Sequence, residues 1–375
     1  MNVIFTCGGT GGHINPAIAV ANSFKERHPD ANILFVGAKG HMEEQLVPKA
    51  GFELKCLEVS GMRRGKSLDA IKKNLKTVVD TAKAVGQCKK LIREFKPDVI
   101  LGTGGYACFP ALMAGTMMKI PTCVHESNAM PGLTTRMLSG RVDRVLICFP
   151  ESAKRYKSED NIETVGMPIR REFVYADKAA ARKELGLGDG PVVVSAFGSL
   201  GARKMNEAIC ELLKLEQDAG FPFHHIHATG KFGWEWMPEK VKALGVDFEN
   251  CQSIDMREYI YNMPTVMASA DVIISRAGAS SCNEIAASGT PCILIPSPNV
   301  TDNHQEKNAR VLEGHGGAVV ILEKDCTAQR LMDEINGILK DEGRAQAMSS
   351  ALKSNVILDS AERICDIMEQ LAKKS

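Results

Sequence analysis

Residues 3–13 read VIFTCGGTGGH, and residues 192–203 read VVVSAFGSLGAR. In each stretch a continuous apolar run leads into a glycine turn, and an amphipathic segment follows. This is the pattern of the first strand, turn and helix of a doubly wound parallel sheet. Because the pattern occurs near the start of the chain and again near its middle, we predict an α/β protein with two Rossmann-like domains in tandem. A ligand would then bind in an interdomain cleft, at the carboxyl ends of the strands.

The rest of the chain alternates between short apolar runs and helical patterns. Helices are predicted at Ala17–Arg27, Leu68–Phe95 and Asn206–Asp218. Gly and Pro interrupt the alternation at residues 166–170, where we place the hinge between the domains. Continuous apolar strands between helices indicate parallel sheets that are covered on both faces. The predicted strands are Val3–Thr6, Ile33–Val36, Val99–Leu101, Thr122–Val124, Arg144–Ile147, Val192–Ala196, His225–Ala228, Val272–Ile274 and Cys292–Ile295.

The composition excludes several classes of protein. The chain has 375 residues, of which 44% are hydrophobic, as expected for a globular protein with two domains rather than a disordered or coiled-coil chain. Its net charge of +1 argues against a nucleic-acid partner. Residues 1–150 nevertheless carry 20 basic and 12 acidic residues, and 63–96 carry 11 basic and three acidic ones. This asymmetry suggests that one face of the first domain meets an anionic partner.

Cysteine and histidine usage favours a reduced protein without a metal. None of the twelve cysteines forms a CxxC pair, which indicates thiols of a cytosolic protein. The N-terminus has no signal-peptide pattern, and no apolar stretch is long enough to span a bilayer. His225 and His227 share one face of a strand beside His224, but no third ligand is apparent. No Asp-x-Asp pair exists to hold a metal-bridged diphosphate, so no metal site is predicted.

The first glycine turn, residues 8–13, offers backbone N–H groups to an anion. It is not a dinucleotide fingerprint, because Ile14 occupies the third glycine position and no acidic residue ends the second strand. Walker A also fails, since no GK[ST] follows. His13 comes directly after the glycines and is a candidate general base, with a capping or packing histidine as the alternative.

Further polar groups follow other predicted strands. Residues 102–106 form a second glycine loop, and 125–128 place His-Glu-Ser-Asn at the end of a strand. Small residues at 276–283 would let a ligand approach the backbone. Glu284 lies in the following helix, where a carboxylate could accept two hydrogen bonds from a ribose diol. A solvated helix residue is the alternative for Glu284.

Six motifs in sequence order make the chain resemble the MurG family, the peptidoglycan N-acetylglucosaminyltransferases. The resemblance covers nearly the whole chain and implies a GT-B fold. It also implies inverting transfer of GlcNAc from UDP-GlcNAc to lipid I, undecaprenyl-diphosphoryl-MurNAc-pentapeptide, giving lipid II without a cofactor or metal. The motifs are GGTGGHINP at 8–16, GTGGYACFP at 102–110, HESN at 125–128, VGMPIR at 165–170, GSLGAR at 198–203, and residues 275–289.

The resemblance also implies roles for domains and residues. Residues 1–165 would form the acceptor-binding, membrane-facing domain, with a C-terminal helix at 358–375 packing back on it, and 166–357 would bind UDP-GlcNAc. His13 would be the catalytic base. Donor-binding residues would be Thr10, Gly11, Gly12, Asn128, Arg170, Ser199, Ile260, Ala279, Ser280, Glu284 and Gln305. Residues on the acceptor and diphosphate side would be Gly104, Gly105, Tyr106, His125 and Glu126.

The sequence departs from the family pattern at a few positions. Phe197 and Leu200 replace a Gly and a Gln of the usual GGSQGAR, and Leu200 cannot make a polar side-chain contact. Ser127 stands where Gln is common, and Cys108 where Ser is common.

The basic segment 63–96 predicts how a chain without a membrane span reaches a lipid. We expect it to lie on an anionic membrane surface, which makes the protein peripheral on the cytoplasmic face of the cell membrane. The alternative is a solvated helix packed on the domain core. Other cell-wall enzymes are candidate partners. The segment combines Lys72, Lys73, Lys76, Lys83, Lys89 and Lys90 with Ile71, Leu75, Val78 and Val79.

Two other functions fit the same fold. A UDP-GlcNAc 2-epimerase, or another GT-B transferase with a different acceptor, would have a similar donor site; an epimerase would form UDP-ManNAc without any acceptor. A non-catalytic nucleotide-sugar-binding protein would bind UDP-GlcNAc and transfer nothing.

Overall fold

A computed structural model of the chain describes residues 1–59, 61 and 68–373, with the backbone alone for 68–73. The chain divides into two compact units. Unit 1 contains Met1–Ile169 and Ile357–Ser375, and unit 2 contains Arg170–Val356. Each unit is built on one sheet of parallel strands, with helices in the connections.

Unit 1 holds a seven-stranded sheet in the order β3-β2-β1-β4-β5-β6-β7. Its strands are β1 Asn2–Thr6, β2 Asn32–Ala38, β3 Glu53–Leu57, β4 Val99–Gly102, β5 Thr122–Glu126, β6 Arg144–Ile147 and β7 Ile162–Thr164. Its helices are α1 Gly11–Arg27, α2 Glu43–Lys49, α3 Leu68–Phe95, α4 Cys108–Met117, α5 Leu133–Leu138 and, at the C-terminus, α16 Ser360–Ala372, with a 3₁₀ turn at Pro150–Arg155.

The apolar run of β1 explains why this sheet is covered on both faces. Successive side chains of a strand point to opposite faces, and here both faces are buried. Phe5 belongs to the apolar cluster under α1 and α16, whereas Ile4 belongs to the cluster under α3 and α4. Ile364 and Met368 of α16 are fully buried in the first cluster, so the C-terminal helix packs on unit 1.

Unit 2 holds a six-stranded sheet in the order β10-β9-β8-β11-β12-β13. One apolar cluster packs α8, α10 and α14 on this sheet. The strands are β8 Val192–Ala196, β9 His224–Ala228, β10 Ile254–Arg257, β11 Val272–Ser275, β12 Cys292–Leu294 and β13 Ala318–Val320. The helices are α6 Arg171–Tyr175, α7 Lys178–Glu184, α8 Arg203–Asp218, α9 Lys231–Trp234, α10 Met237–Ala243, α11 Met263–Ser269, α12 Ala279–Ser288, α13 His304–Gly314, α14 Ala328–Leu339 and α15 Glu342–Ser354, with 3₁₀ turns at Thr301–Asn303 and Glu323–Asp325.

The structure confirms two doubly wound domains and all nine predicted strands. Four further strands, β3, β7, β10 and β13, were not predicted. Helix α3 has its predicted bounds, whereas α1 begins at Gly11, because the glycine turn itself forms the first helical turn. No helix in the described part of the chain is long and apolar enough to cross a membrane.

Candidate functional site

The glycine turn that follows β1 and runs into the first turn of α1, residues 8–13, is called the base turn. Thr10 is exposed at the N-cap of α1, with extended backbone and no capping bond from its side chain. Its carbonyl accepts hydrogen bonds from the backbone N–H groups of His13 at 3.0 Å and Ile14 at 3.2 Å. Gly11 and Gly12 therefore occupy the first helical turn, where backbone N–H groups lack acceptors within the helix and favour an anion or a sugar oxygen.

A backbone carbonyl determines the tautomer of His13. Its Nδ1 lies 3.1 Å from the carbonyl oxygen of Thr103, in the second glycine loop, residues 102–106. Because a carbonyl can only accept, Nδ1 carries the hydrogen and Nε2 carries the lone pair of the neutral ring. The Thr103 hydroxyl in turn donates to the His13 carbonyl at 2.7 Å. The first of these bonds fixes the orientation of the imidazole ring, and the second joins the His13 backbone to the same loop.

Glycines of the second loop make room for this arrangement. Gly104 has φ +105°, and a Cβ there would lie 2.6 Å from Nδ1 of His13. A Cβ on Gly105 would lie 2.3 Å from the carbonyl oxygen of Gly8. The structure therefore brings the predicted acceptor-side glycines together with the base turn, backbone against backbone. The hydroxyl of the next residue, Tyr106, lies 2.7 Å from Nε2 of His41, and burial raises its pKa.

His125 and Glu126, also predicted on the acceptor side, are engaged in internal hydrogen bonds. His125 is fully buried, its Nε2 donates to the Gly166 carbonyl at 2.8 Å, and burial lowers its pKa. Glu126 is 3% exposed and accepts from the backbone N–H groups of Asn128 at 3.0 Å and Gly132 at 2.8 Å. Glu126 therefore holds the loop that carries the half-buried Asn128, whereas His125 bonds to the segment around Gly166.

The predicted donor residues of unit 2 follow strands β8, β10, β11 and β12 of its sheet. In parallel sheets the carboxyl ends of strands share one edge, where ligands bind. Ser199 follows β8, Ile260 follows β10, and Gln305 follows β12. Ala279, Ser280 and Glu284 lie in α12, directly after β11.

Two charged donor residues interact within unit 2. Burial raises the pKa of the half-buried Glu284 to about 7, and the positive charge of Arg170 acts against this rise. Arg170 caps α6, which packs against α12, and its guanidinium lies 4.9 Å from the centre of the Phe173 ring. The structure thus brings a cation near the predicted ribose acceptor.

The other donor residues differ in exposure. Ile260 is buried, whereas Ser199 is exposed. The Ser280 hydroxyl is buried at the start of α12 and has no hydrogen-bond partner in the structure as described. The side-chain oxygen of Gln305 accepts from the Ser297 N–H at 2.9 Å, which leaves the amide nitrogen as the donor end.

Two of the three histidines of β9, His225 and His227, belong to an internal chain of hydrogen bonds. The Ser195 hydroxyl lies 2.7 Å from both His225 Nε2 and His227 Nδ1, and Glu216 lies 2.7 Å from His225 Nδ1. All four side chains are fully buried. No group of three potential metal ligands occurs among the residues that the structure describes.

The departures at Phe197 and Leu200 have different consequences. Phe197 is buried, and its ring centre lies 6.1 Å from that of His227, so it belongs to the core. Leu200 is exposed, and its side chain brings no polar group to the donor turn, residues 198–203.

Sequence reasoning missed Thr103 and Glu43. Thr103 acts through its backbone carbonyl, which no sequence pattern distinguishes. Glu43 is fully buried and accepts from the Gly9 N–H of the base turn at 3.2 Å. The sequence feature that could have indicated Glu43 is an acidic residue shortly after the second strand, in a segment flanked by glycines.

Comparison with known proteins identifies the family of the chain. The N-terminal domain of glycosyltransferase family 28 matches residues 3–147, and the C-terminal domain of that family matches 192–364. A UDP-N-acetylglucosamine--N-acetylmuramyl-(pentapeptide) pyrophosphoryl-undecaprenol N-acetylglucosamine transferase from Acetivibrio thermocellus is 42% identical over 375 residues, covering 100% of this chain and 99% of the relative.

Two further comparisons cover the full chain. A transferase of the same name from a Thermoanaerobacter species is 43% identical, covering 99% of this chain and 100% of the relative. The crystal structure of Acinetobacter baumannii MurG has a TM-score of 0.77 at 24% identity, covering 98% and 99% of the two chains, and shares the GT-B fold. The chain therefore belongs to the MurG family of N-acetylglucosaminyltransferases, within glycosyltransferase family 28.

Proposed function

We propose that this chain transfers GlcNAc from UDP-GlcNAc to lipid I and thereby produces lipid II and UDP. Membership of the family supports the two substrates, because full-length relatives carry the name of this transferase. The observation that carries the chemistry is the hydrogen bond from His13 Nδ1 to the Thr103 carbonyl, which leaves Nε2 as the basic nitrogen.

The reaction needs one base and one stabilised leaving group. The 4-hydroxyl oxygen of the acceptor sugar attacks C1 of GlcNAc, and the bond from C1 to the UDP oxygen breaks. Attack from the face opposite UDP inverts C1 and gives a β-1,4 link. His13 Nε2 takes the hydroxyl proton, and UDP leaves with the electron pair.

Charge that develops on UDP is stabilised by unit 2. Arg170 supplies a permanent positive charge, and the N-termini of α12 and α13 supply positive ends of helix dipoles. Ser199 contacts the diphosphate from the donor turn. No resident cofactor or metal is required for these roles.

The remaining contacts recognise uridine and GlcNAc. The Glu284 carboxylate accepts hydrogen bonds from the ribose diol, and Ile260 lies beside the uracil. Gln305 and the first turn of α12 also line this donor site. The base turn contacts GlcNAc through Thr10, Gly11 and Gly12. Asn128, in the loop after β5, makes the remaining GlcNAc contact.

We also propose that α3 lies on an anionic membrane surface. Leu75 is 70%, Val78 56% and Val79 50% exposed, although the opposite side of the same helix packs into the unit 1 core through Ala84 and Cys88. A core-packing role therefore accounts for one side of α3 and leaves the apolar stripe of 75–79 exposed. Residues 63–67 of the predicted segment, and the side chains of Ile71, Lys72 and Lys73, lie outside the described residues.

Charge complements this stripe. Lys76, Lys83 and Lys90 are exposed along α3, and each basic residue near an anionic leaflet contributes about 1 kcal/mol. Such a surface would make the protein peripheral on the cytoplasmic face of the membrane, where lipid I and other cell-wall enzymes would be met.

Vesicle binding tests the membrane proposal. Leu75→Ser combined with Val79→Ser should reduce co-sedimentation with vesicles that contain anionic lipid, and high salt should weaken binding of the unchanged protein. Tyr175→Ser, at an exposed aromatic residue of unit 2, is the matched control and should bind normally. Equal binding by all three proteins, independent of salt and of anionic lipid, would contradict the proposal.

Release of UDP from UDP-GlcNAc tests the transferase proposal and its alternatives together. We expect UDP release that depends on a lipid I analogue, with GlcNAc recovered on that analogue. Formation of UDP-ManNAc without an acceptor would instead identify an epimerase. Binding of UDP-GlcNAc without transfer would identify a nucleotide-sugar-binding protein.

A further inference from the structure

Glu43 is a charged residue enclosed beneath the base turn. It begins α2 and is fully buried. Its Oε1 accepts the Ala38 N–H at 2.8 Å, at the end of β2, and its Oε2 accepts the Gly9 N–H at 3.2 Å. Each oxygen of the Glu43 side chain therefore accepts a separate backbone donor.

Two glycines make room for this carboxylate. A Cβ on Gly8 would lie 2.7 Å from Oε1 of Glu43, and a Cβ on Gly37 would lie 2.7 Å from its Cγ. The base turn and the end of β2 therefore close around the Glu43 side chain. The Glu43 side chain thus accepts one backbone N–H of the base turn from within unit 1.

A series of close contacts links Glu43 to His13, the proposed catalytic base. The carbonyl of Gly8 packs against Gly105, and the neighbouring Gly104 packs against the His13 ring. A second bond joins the same segment to this loop, since His41 Nε2 lies 2.7 Å from the Tyr106 hydroxyl. Residues 41–43 thus hold the base turn and the second glycine loop together from one side.

We propose that Glu43 is a positioning residue for the transfer reaction, acting through the base turn on His13. This inference rests on the proposed function. A buried carboxylate fixes the Gly9 backbone more firmly than a neutral group would, because hydrogen bonds to a charged acceptor are stronger. Displacement of a reacting group by about 1 Å can cost about 10²-fold in rate.

Glu43→Gln tests the inference. Its amide group replaces one accepting oxygen with a donor, so either the Gly9 or the Ala38 N–H loses its acceptor. We expect kcat per UDP-binding site to fall by about 10- to 100-fold. The affinity for UDP alone should change by less than about threefold, because the proposed UDP contacts lie on unit 2. Normalisation to UDP-binding sites removes losses that come only from unfolded protein.

Glu44→Gln is the matched control. Glu44 occupies the same first turn of α2 but is exposed, so this variant should keep the wild-type kcat. Gly37→Ala provides a second route, since its methyl group would displace the Glu43 side chain while keeping the charge. It should lower kcat per site in the same way, and it decides the question if Glu43→Gln does not fold.

The outcomes separate this inference from the proposed function. An active wild-type enzyme whose folded Glu43→Gln or Gly37→Ala variant keeps kcat per site within about twofold would overturn the positioning role. A wild-type protein that releases no UDP with a lipid I analogue would instead contradict the transferase proposal. Faster exchange of the Gly9 or the Ala38 amide proton in Glu43→Gln than in wild type is the expected sign of the lost hydrogen bond; unchanged exchange rates at both amides would count against it.

Discussion

The two units place very different residues at the same position of the same fold. In unit 1, Phe5 of β1 pairs in register with Phe35 of β2, and the two rings stack 5.3 Å apart. In unit 2, the equivalent pair is Ser195 of β8 and His227 of β9, which are joined by a hydrogen bond. One doubly wound core therefore accommodates either an apolar stack or a buried polar chain. Among the described residues, the chain still leaves His227 Nε2 and Glu216 Oε2 buried without a hydrogen-bond partner.

The glycine turns that leave these strands differ as well. The base turn packs against the loop after β4, since Gly105 lies against Gly8. The donor turn packs against the loop after β9, since a Cβ on Gly201 would lie 2.1 Å from the Thr229 carbonyl. In the sheet, β4 and β9 lie on opposite sides of the first strand of their units. The loop that each turn contacts therefore decides which groups come together. At the base turn these are the His13 ring and the Thr103 carbonyl, and at the donor turn they are the backbones of Gly201 and Thr229.

The largest effect is expected at His13, which distinguishes the base turn from the donor turn. His13→Ala should lower kcat by about 10²- to 10⁴-fold, the usual contribution of a general base. Binding of UDP-GlcNAc should change little, whereas Ser199→Ala on the donor turn should mainly weaken binding of UDP. Steady-state kinetics together with calorimetry would measure both. A His13→Ala enzyme within a few-fold of wild-type kcat would remove His13 from the role of base.

A smaller effect is expected when His13 remains and the glycine that packs against its ring is replaced. Gly104→Ala would place a methyl group 2.6 Å from His13 Nδ1 and should lower kcat by about 10- to 100-fold through displacement of the ring. Gly51→Ala is the matched control, because Gly51 has φ +85° but nothing within 4 Å of the added carbon. It should lose stability through backbone strain and keep kcat. Equal kcat values for the two variants would show that the close contact with His13 does not matter.

How far the sequence predicts this fold depends on where a strand lies in its sheet. The nine predicted strands are the interior strands of the two sheets. Burial on both faces requires a continuous apolar run in these strands. The four unpredicted strands, β3, β7, β10 and β13, are the four edges. They are short or half-exposed: β3 reads ELKCL and β10 reads IDMR, with charged residues between apolar ones. Such edges lack the apolar signal because only part of their surface is covered.

The candidate site divides in a similar way. The sequence indicates His13 as a candidate, because a histidine directly after a glycine turn is an unusual residue in a recognisable place. It does not indicate the groups that contact His13 and its turn, since Thr103 contributes a backbone carbonyl and Glu43 reaches the Gly9 N–H only when β1 and β2 become neighbours. Chemistry that resides in a side chain at a strand end is visible in the sequence, whereas support that depends on packing is visible only in the structure.

The polar chain of unit 2 leads to a third prediction. Burial lowers the pKa of His227 to about 3, below the ordinary histidine value of about 6.5. Between these values the unfolded chain binds a proton that the folded unit does not. The free energy of unfolding should therefore decrease as the pH falls below about 6.5, by about 1.4 kcal/mol per pH unit, or about 2 kcal/mol at pH 5.

Replacing His227 with the residue of unit 1 tests this difference. His227→Phe should unfold with a weaker dependence on pH between 7.5 and 5. Both tryptophans of the chain, Trp234 and Trp236, lie in unit 2, so their fluorescence during urea unfolding reports this unit. Identical pH dependence in wild type and variant would show that His227 does not contribute to acid sensitivity.

The smallest effect is expected from the titration of Glu284 in unit 2, which differs from Glu43 in unit 1. Glu43 is enclosed and bound by two backbone donors, whereas Glu284 is half-buried with a pKa of about 7. If the ionised form of Glu284 accepts the ribose hydroxyls, protonation below pH 7 removes that acceptor. The affinity for UDP-GlcNAc should then fall by about tenfold between pH 8 and pH 6, since the ionised fraction of Glu284 falls from about 0.9 to about 0.1.

Glu284→Gln distinguishes this titration from other causes. The amide cannot ionise, so the variant should bind UDP-GlcNAc more weakly at pH 8 and with little dependence on pH, whereas Glu43→Gln should keep the wild-type pH dependence. Calorimetry at pH 6, 7 and 8 measures all three proteins. The same pH slope in Glu284→Gln as in wild type would assign the titration to another group. In that case the contrast between an enclosed structural carboxylate and a titrating substrate-binding carboxylate would fail.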